Sequence, residues 1–387
     1  MPAPRAASAI VGLGFSQISR KPVGTPRSLA AEAVRAAITD AGLKAADIDG
    51  LLLNPSSLAA EDAIPLRVQE DIGLRDLRLL CSIDAKGSAV VQMVQQATLA
   101  IQTGLATRVA CVFADAPVAA KGAGDAYAIT SPLTGIAGWE RQYGLFGATG
   151  AYALAANRHM ALHGWGQDDL GAYVIACRQW AMLNPDAVIR KPLTLEEYRH
   201  SPWIVEPFHM LDCAYPMNGG IAVIVAAGEE ADRAVYVHGM GQGHPGRPAL
   251  RQMPEPRTGG HLAGERAYAM AGVTAADVTL CELYDAFSFT ALLALEEYGF
   301  CPPGQGAAFV REGHTLPGGR LPVSTGGGHL AGGYLQGMTP LAEAIIQGRR
   351  EAGDRQVSSP EVILVNGSGG RLEYHAALVL SPRHRLH

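Results

Sequence analysis

The stretch AGLKAADIDGLLL, residues 41–53, returns in altered form as AGVTAADVTLCEL at residues 271–283. In both copies an Ala-Gly pair, which is typical of the end of a helix, is followed by Ala-Ala-Asp and then by an apolar run. Such a run is typical of a buried strand. A second, fainter echo pairs AIQTGLATRVACVF at residues 100–113 with residues 344–370, where a helix exit at Gly348 precedes the strand-like VILVNGSGG. Because both echoes occur in the same order, the sequence predicts two copies of one α/β unit.

The composition is that of a compact globular enzyme. Of the 387 residues, 48% are hydrophobic and 17% are charged, and the net charge is −5. No block of lysine and arginine is present, which argues against a nucleic-acid partner. The six cysteines lie far apart without metal-ligand spacing, so no metal site is predicted. No secretory leader or membrane span is expected, and the predicted location is the cytoplasm.

The two copies set the predicted domain boundaries. The first half comprises residues 1–116 and 211–231, and the second comprises residues 232–387. Residues 117–210 interrupt the first half, are rich in aromatic residues and contain two segments of helical period, 150–163 and 167–182. An aromatic-rich insertion over an α/β core is a common position for a substrate-binding lid.

Two tyrosines stand in unusual local sequences. The stretch GGGHLAGGYLQGM at residues 326–338 has six glycines in thirteen residues, with Tyr334 among them. Its start matches the loose pattern of a dinucleotide loop, but it lies late in the chain and lacks the acidic residue that such a loop requires further on. Tyr334 has few neighbouring side chains in sequence to pack against, which favours a functional role. The second tyrosine, Tyr284, lies in ELYDAFSF at residues 282–289.

These segments resemble elements of the thiolase superfamily. Residues 321–348 are similar to its glycine-rich element, with Tyr334 in the position of a histidine. ELYDAFSF is similar to an Asn/His-Glu-Ala/Cys-Phe element with Tyr284 at the polar position, and VNGSGG at residues 365–370 is similar to a Cys-x-Gly-Gly element with Asn366 at the cysteine. Residues 152–225 are similar to the thiolase-like proteins related to sterol carrier protein X.

The resemblance implies a fold and an assembly. Members are α/β proteins with two βαβαβαββ halves in a five-layer αβαβα arrangement and an inserted loop domain. They form homodimers through their first-half sheets. Similarity to the steroid side-chain-cleaving aldolases of the superfamily further implies a separate small partner with an OB-fold and a zinc ribbon, which would make a heterotetramer.

The nucleophilic cysteine of thiolases is missing from its matched position. An ungapped register from residues 100–106 places the family's cysteine at Gly87, whereas a gapped register places Asp84 or Cys81 there. Without a thiolate there is no covalent acyl-enzyme. Two alternatives stay open: a thiolase-type acyltransferase that uses Cys81, and a non-catalytic scaffold that binds lipid or acyl-CoA.

Tyrosines in place of the acyl-transfer groups resemble the pattern of the steroid side-chain aldolases, in which both tyrosines are catalytic. The expected reaction is retro-aldol cleavage of a β-hydroxyacyl-CoA, with a steroid side chain as the expected substrate, to a ketone and a short acyl-CoA. Tyr284 and Tyr334 would flank the scissile bond from opposite sides, one accepting the β-hydroxyl proton and the other protonating the enolate. No cofactor is expected beyond the CoA of the thioester substrate.

Further roles are assigned around this pair. Tyr334 is favoured as the base, because nearby glycine N–H dipoles would favour a phenolate, and the same N–H groups are expected to hold the enolate oxygen. By family analogy Asp285 holds a loop through backbone N–H groups. The predicted substrate-binding residues are His329, Gly333, Asn366, Gly367 and Ser368.

Overall fold

The computed structural model of the chain describes residues 6, 8–56, 64–120, 122, 126–127, 134–145, 147–228, 231–245 and 258–386. The strands in these ranges are β1 (Ser8–Phe15), β2 (Gly50–Asn54), β3 (Leu79–Ser82), β4 (Arg108–Asp115), β5 (Trp203–Val205), β6 (Phe208–His209), β7 (Gly219–Ala227), β8 (Val235–Gly243), β9 (Leu280–Glu282), β10 (Ile363–Gly369) and β11 (Tyr374–Ser381). The helices are α1 (Pro26–Asp40), α2 (Pro65–Ile72), α3 (Ala89–Gln102), α4 (Gly135–Gln142), α5 (Gly147–His163), α6 (Gln167–Leu183), α7 (Leu195–Arg199), α8 (Gly260–Ala271), α9 (Ser288–Glu297), α10 (Gly306–Arg311) and α11 (Met338–Gly348). None of these helices has the length and apolar character that crossing a bilayer requires.

Nine strands form one mixed sheet in the order β3-β2-β4-β7-β1-β8-β11-β10-β9. Strands β1 and β8 pair antiparallel at its centre and join the two halves. Read outward from this joint, the first half runs β1-β7-β4-β2 and the second runs β8-β11-β10-β9, so chain-equivalent strands hold equivalent positions. The duplication predicted from the two sequence echoes is confirmed: the first echo spans the short 3₁₀ turn before β2 or β9, and the second spans α3–β4 or α11–β10.

Alternating strand residues bury their side chains in three separate cores, which define five layers. Leu51 and Leu53 of β2 face an outer layer formed by α1 and α2, whereas Leu52 faces a central layer formed by α3 and α11. On the second half, Leu378 faces this central layer and Val379 faces the opposite outer layer, which contains α8 and α9. Each such fully buried leucine or valine stabilises the fold by about 1.5–3 kcal/mol.

The packing of α1 on β1 follows from local sequence. Thr25 caps α1, since its hydroxyl accepts a hydrogen bond from the backbone N–H of Ser28, and Pro26 occupies the first turn, where its missing N–H costs nothing. Gly14 in β1 allows the helix to approach closely, because a Cβ there would lie 2.1 Å from the backbone nitrogen of Ala37.

The insertion lies between β4 and β7 and packs on the second half. Its predicted helical segments correspond to α5 and α6, and side chains of α6 form hydrogen bonds to the second half. The Trp180 indole donates to the carbonyl of Thr315 at 2.9 Å, and the hydroxyls of Tyr173 and Ser324 lie 2.9 Å apart. The bounds 117–210 for the insertion, and those of the two halves, stay predictions.

Candidate active site

Tyr284 and Tyr334 meet at the centre of the molecule. Their hydroxyl oxygens lie 2.8 Å apart and form a hydrogen bond, and their rings stand edge to face with centroids 6.2 Å apart. Tyr284 is 5% exposed, and both phenols line one cavity. The structure therefore brings together the two tyrosines that the sequence singled out, although they are neighbours in direct contact rather than groups on opposite sides of a gap.

Tyr284 is positioned by the parallel pairing of β9 with β10. Glu282 lies opposite Val365 in this register, so Asn366 follows at the level of the residues that leave β9. The Asn366 side-chain oxygen accepts a hydrogen bond from the backbone N–H of Tyr284 at 2.7 Å. Asn366 is 2% exposed and does not line the cavity, so its observed contact is with the backbone that carries the phenol.

Tyr334 is held by hydrogen bonds on both sides of its own residue. The backbone N–H of Tyr334 donates to the carbonyl of Tyr215 at 2.8 Å. The Thr339 hydroxyl donates to the carbonyl of Gly333 and accepts from the N–H of Leu335, both at 3.0 Å. Gly333 has φ +124°, a conformation open to glycine, and this turn leads directly into α11.

Three N–H groups of the glycine-rich turn are already paired with backbone carbonyls. Residues 328–332 form a π-helical turn, and the N–H groups of Gly327, Gly332 and Gly333 donate to the carbonyls of Ser324, Gly327 and Gly328, respectively. Because these donors are already paired, they are not free to hold an enolate oxygen. The glycines that line the cavity are instead Gly87, Gly147, Gly369 and Gly370.

Gly87 lies at the point where thiolases carry their nucleophile in the ungapped register. A Cβ built at Gly87 would lie 2.2 Å from Cζ of Tyr284 and 2.1 Å from the carbonyl oxygen of Ser368. No side chain fits there, so the Tyr284 phenol occupies the space that a cysteine at position 87 would need.

Neither Cys81 nor Cys213 has the surroundings that would make its thiol an effective nucleophile at this site. Cys81 lies on the edge strand β3, is exposed and is not among the cavity-lining residues. Cys213 does line the cavity, but burial raises the pKa of its thiol to about 12. A thiol with that pKa is almost entirely protonated at neutral pH and is a poor nucleophile.

His329 is packed between the two phenols but its nitrogens face away from them. Its ring centroid lies 4.9 Å from that of Tyr284 and 5.0 Å from that of Tyr334. Nε2 donates to the carbonyl of Gln336 at 2.8 Å, because a carbonyl only accepts, and Nδ1 lies 3.2 Å from Oδ1 of Asp285. The ring is fully buried and does not line the cavity, so substrate binding by His329 stays a prediction.

Asp285 holds the glycine-rich turn, as the family analogy implied. Its Oδ1 accepts a hydrogen bond from the backbone N–H of His329 at 2.8 Å. Burial raises the pKa of Asp285 to about 7 and lowers the pKa of His329 to about 4. The buried imidazole of His329 is therefore kept neutral rather than as a charged imidazolium.

Both catalytic candidates are kept as neutral phenols. Burial raises the pKa of Tyr284 and of Tyr334 above the ordinary value for tyrosine. The expectation that glycine dipoles stabilise a Tyr334 phenolate is not supported, because those dipoles are used within the turn. A hydrogen bond between two hydroxyls can still pass a proton without a free phenolate.

The cavity has a volume of about 690 Å³ and lies between the insertion and the core. The insertion contributes aromatic and polar side chains at positions that sequence reasoning missed, and the core adds charged groups at the rim. These residues are Tyr127, Arg141, Thr149, Tyr152, Lys86, Gln336, Arg371 and Glu373. Of these, Arg371 could have been identified from the sequence, because it follows the VNGSGG element directly. Tyr127 and Tyr152 lie in no recognisable sequence motif.

The remaining predicted binding residues lie just behind the cavity wall. Gly333 faces a second cavity of about 490 Å³ on the opposite side of the segment that carries Tyr334. Gly367 packs closely on α3, since a Cβ there would lie 2.8 Å from Cα of Ser88, and the Ser368 carbonyl lies against Gly87. Substrate contacts by Gly333, Asn366, Gly367 and Ser368 stay predictions, and the described geometry gives these residues supporting positions.

Known proteins resemble this chain over nearly its whole length. Residues 243–382 match the family model for the thiolase C-terminal domain. A steroid side-chain-cleaving aldolase of Thermomonospora curvata is 32% identical, over 94% of this chain and 95% of its own length. The 17-hydroxy-3-oxo-4-pregnene-20-carboxyl-CoA lyase of Mycobacterium tuberculosis is also 32% identical, over 94% and 96%.

A solved structure extends the likeness to three dimensions. The Ltp2-ChsH2(DUF35) aldolase superposes with a TM-score of 0.88 at 30% sequence identity, covering 98% of this chain and 99% of the other. Matching sequence and fold over nearly whole chains leave one assignment. The chain belongs to the thiolase superfamily, in the branch of carbon–carbon lyases of the aldolase type.

Proposed function

We propose that this enzyme cleaves the carbon–carbon bond between the α- and β-carbons of a β-hydroxyacyl-CoA by a retro-aldol reaction carried by Tyr284 and Tyr334. The observation that carries the proposal is the direct hydrogen bond between the two phenols, formed where a thiolase cysteine would stand. A site with the nucleophile replaced by hydroxyl groups suits proton transfer better than acyl transfer.

The reaction moves one proton. The β-hydroxyl loses a proton as its C–O bond becomes the ketone carbonyl, the bond between the α- and β-carbons breaks, and its electron pair forms a thioester enolate. The enolate carbon then gains a proton to give the short acyl-CoA. A 2.8 Å hydrogen bond connects the two phenols, so that a proton given to the enolate by one can be replaced by the other. Each assisted proton transfer accelerates such a step by roughly 10²–10⁴-fold.

The surroundings favour the negative charge of an enolate. The N-termini of the central helices α3 and α11 both begin next to the tyrosine pair, since Gly87 precedes α3 and Gly337 precedes α11. Helix N-termini carry a partial positive charge, which stabilises nearby anions. Lys86, Arg141 and Arg371 line the same cavity and supply cations for the phosphates of CoA. No cofactor beyond the CoA of the substrate is required by this chemistry.

A steroid acyl-CoA is the proposed substrate. In the substrate that names the Mycobacterium tuberculosis relative, the 17-hydroxyl is β to the thioester carbonyl, so the same cleavage would give a 17-ketosteroid and propionyl-CoA. The solved Ltp2-ChsH2(DUF35) complex supports a separate partner of the DUF35 type, for which we propose an OB-fold and a zinc ribbon. A homodimer formed through the edge strand β3 completes the proposed heterotetramer.

The test compares single hydroxyl deletions in the complex with its partner. Tyr284→Phe and Tyr334→Phe are each expected to lower kcat for cleavage of 17-hydroxy-3-oxo-4-pregnene-20-carboxyl-CoA by about 10²–10⁴-fold, with a much smaller change in KM. Products are measured by mass spectrometry. Tyr143→Phe serves as the control, because Tyr143 is 75% exposed and its activity should match that of the wild type. Unchanged rates in both site variants would refute the roles of the tyrosines.

Thiol alkylation separates this function from acyl transfer through Cys81. Iodoacetamide should modify the exposed Cys81 and leave cleavage intact, whereas an acyltransferase that used this thiol would lose its activity. A scaffold that only binds acyl-CoA would show binding without product in either experiment.

A further inference from the structure

A third phenol, Tyr127, lines the catalytic cavity beside the tyrosine pair. Its ring is perpendicular to that of Tyr334, with centroids 6.0 Å apart. The residue is 40% exposed, but its hydroxyl points inward and donates to Oδ2 of Asp115 at 3.1 Å. No direct hydrogen bond joins the hydroxyls of Tyr127 and Tyr334, so a group bound between them can contact both.

Asp115 is a buried carboxyl group whose contacts fix it in place. It ends strand β4 and is 2% exposed. Its Oδ1 accepts from the Ser56 hydroxyl at 2.6 Å and from the backbone N–H of Ala116 at 2.9 Å. Within the described ranges its partners are hydrogen-bond donors, and no lysine, arginine or histidine pairs with it. Burial accordingly raises the pKa of Asp115, which makes the carboxylate a better proton acceptor.

The bond from Tyr127 to Asp115 determines what Tyr127 can offer the cavity. Since the phenol proton is directed at the carboxylate, the lone pairs of the Tyr127 oxygen remain to accept a hydrogen bond from another group. Tyr284 and Tyr334 have no comparable acceptor behind them, because their hydroxyls bond to each other and their pKa values are raised by burial. The only carboxylate-backed hydroxyl that the described residues place in this cavity is therefore Tyr127.

We propose that Tyr127 is a third functional hydroxyl, held by the positioning residue Asp115 so that its oxygen accepts the proton of the substrate's β-hydroxyl. This inference rests on the proposed retro-aldol cleavage and specifies where that proton goes. The β-hydroxyl proton passes to Tyr127 as the Tyr127 proton passes to Asp115. The bond between the α- and β-carbons then breaks to give the ketone and the enolate.

The remaining steps close the proton cycle. Tyr334 protonates the enolate carbon and takes a proton from Tyr284 across their hydrogen bond. When the products leave, the proton stored on Asp115 passes through the partly exposed Tyr127 to water in the emptied cavity, and the phenol pair regains one proton from that water. The proton lost by the β-hydroxyl is thus matched by the proton gained at the α-carbon, and no further reactant is needed.

The test uses Tyr127→Phe, Asp115→Asn and the double variant, each in complex with the partner and assayed in single turnovers with 17-hydroxy-3-oxo-4-pregnene-20-carboxyl-CoA. Each single variant is expected to slow cleavage by about 10²–10³-fold while KM changes by less than about threefold. The double variant should be no slower than either single variant, because the two residues act as one unit. Tyr143→Phe and Asp232→Asn, both at exposed positions, are the matched controls.

The outcomes separate this inference from the function on which it rests. Near wild-type cleavage in Tyr127→Phe and Asp115→Asn, together with loss of cleavage in Tyr334→Phe, would overturn the role of Tyr127 and leave the proposed function standing. Additive losses, or a loss that appears in KM rather than in kcat, would assign Asp115 a purely structural role and also overturn it. Tyr127→Phe removes one oxygen from a half-exposed side chain, so it keeps the test valid if Asp115→Asn folds poorly. A wild-type complex without cleavage would refute the proposed function itself.

Discussion

At the residue scale, the distinction between this enzyme and a thiolase depends on a steric conflict between any side chain at Gly87 and the phenol of Tyr284. A side chain at position 87 and a phenol at position 284 would occupy the same space, since the built Cβ lies 2.4 Å from the hydroxyl of Tyr284. A thiolase-like chain can therefore carry a nucleophile at the start of α3 or a tyrosine after β9, but this backbone does not accommodate both.

Gly87→Ala tests this exclusion with a single methyl group. We expect it to lower the free energy of unfolding by about 1–3 kcal/mol and to displace the Tyr284 phenol, with loss of cleavage. Chemical denaturation and the cleavage assay measure the two effects. Gly166→Ala is the matched control, because a Cβ there meets nothing within 4 Å, and its cost should stay below about 1 kcal/mol. A stable, active Gly87→Ala variant would contradict the crowding described here.

Some residues of the site could be identified from the sequence, and others could not. Tyr284 and Tyr334 were found because each stands inside a recognisable element. Tyr127 and Asp115 were not, because the hydrogen bond between them is a tertiary contact that no sequence motif encodes. The surroundings of His329 were likewise not visible in the sequence. Its place beside Tyr334 in the sequence says nothing about the buried Asp285 that faces its ring.

At the element scale, the glycine-rich turn fixes the backbone that carries the Tyr334 phenol rather than forming an anion-binding site. Its N–H groups are used internally, Asp285 holds its centre, and Thr339 bonds to the residues on either side of Tyr334. The sequence indicated a turn from its glycine content, but a π-helical turn and a φ of +124° at Gly333 depend on tertiary contacts that composition does not encode.

Thr339→Val should weaken the hydrogen bonding that fixes the backbone around Tyr334, without changing the phenol itself. The variant loses hydrogen bonds to the Gly333 carbonyl and the Leu335 N–H, and we expect it to lower the free energy of unfolding by about 1–3 kcal/mol. Cleavage should fall by roughly 10–10²-fold through misplacement of Tyr334. Thr39→Val on the exposed surface of α1 is the control, and both variants are compared by denaturation and steady-state kinetics. Equal kinetics in the two variants would show that Tyr334 does not need this support.

At the scale of the whole molecule, the sheet has an exposed edge at β3, which pairs only with β2 among the described strands. Leu80 on this strand is 39% exposed and Cys81 is exposed. An apolar edge of this kind is a surface on which a second copy of the chain can pair. The duplicated body was predictable from the sequence echoes and its layered fold from the family resemblance, whereas the strand order and the exposure of this edge follow only from the assembled sheet.

Leu80→Lys should convert the proposed dimer into a folded monomer. A charge at this apolar position opposes burial against a second copy, while leaving the core of each chain unchanged. Light scattering after size exclusion measures the mass, with Leu162→Lys, an exposed position on α5, as the control. In the wild type, alkylation of Cys81 should slow as protein concentration rises. A dimeric Leu80→Lys variant, or alkylation that is independent of concentration, would argue against β3 as the dimer contact.

The central position of β7 has a consequence for synthesis on the ribosome. β7 lies between β4 and β1, yet the entire insertion is translated between β4 and β7. At typical translation speeds this delay lasts roughly 5–20 s, during which β1 and β4 have already emerged without the strand that separates them. The nascent chain therefore carries β1 with both backbone edges unpaired and β4 with one edge unpaired at this stage. Its yield in cells should depend on chaperones that shield those edges until Ala227 has left the exit tunnel.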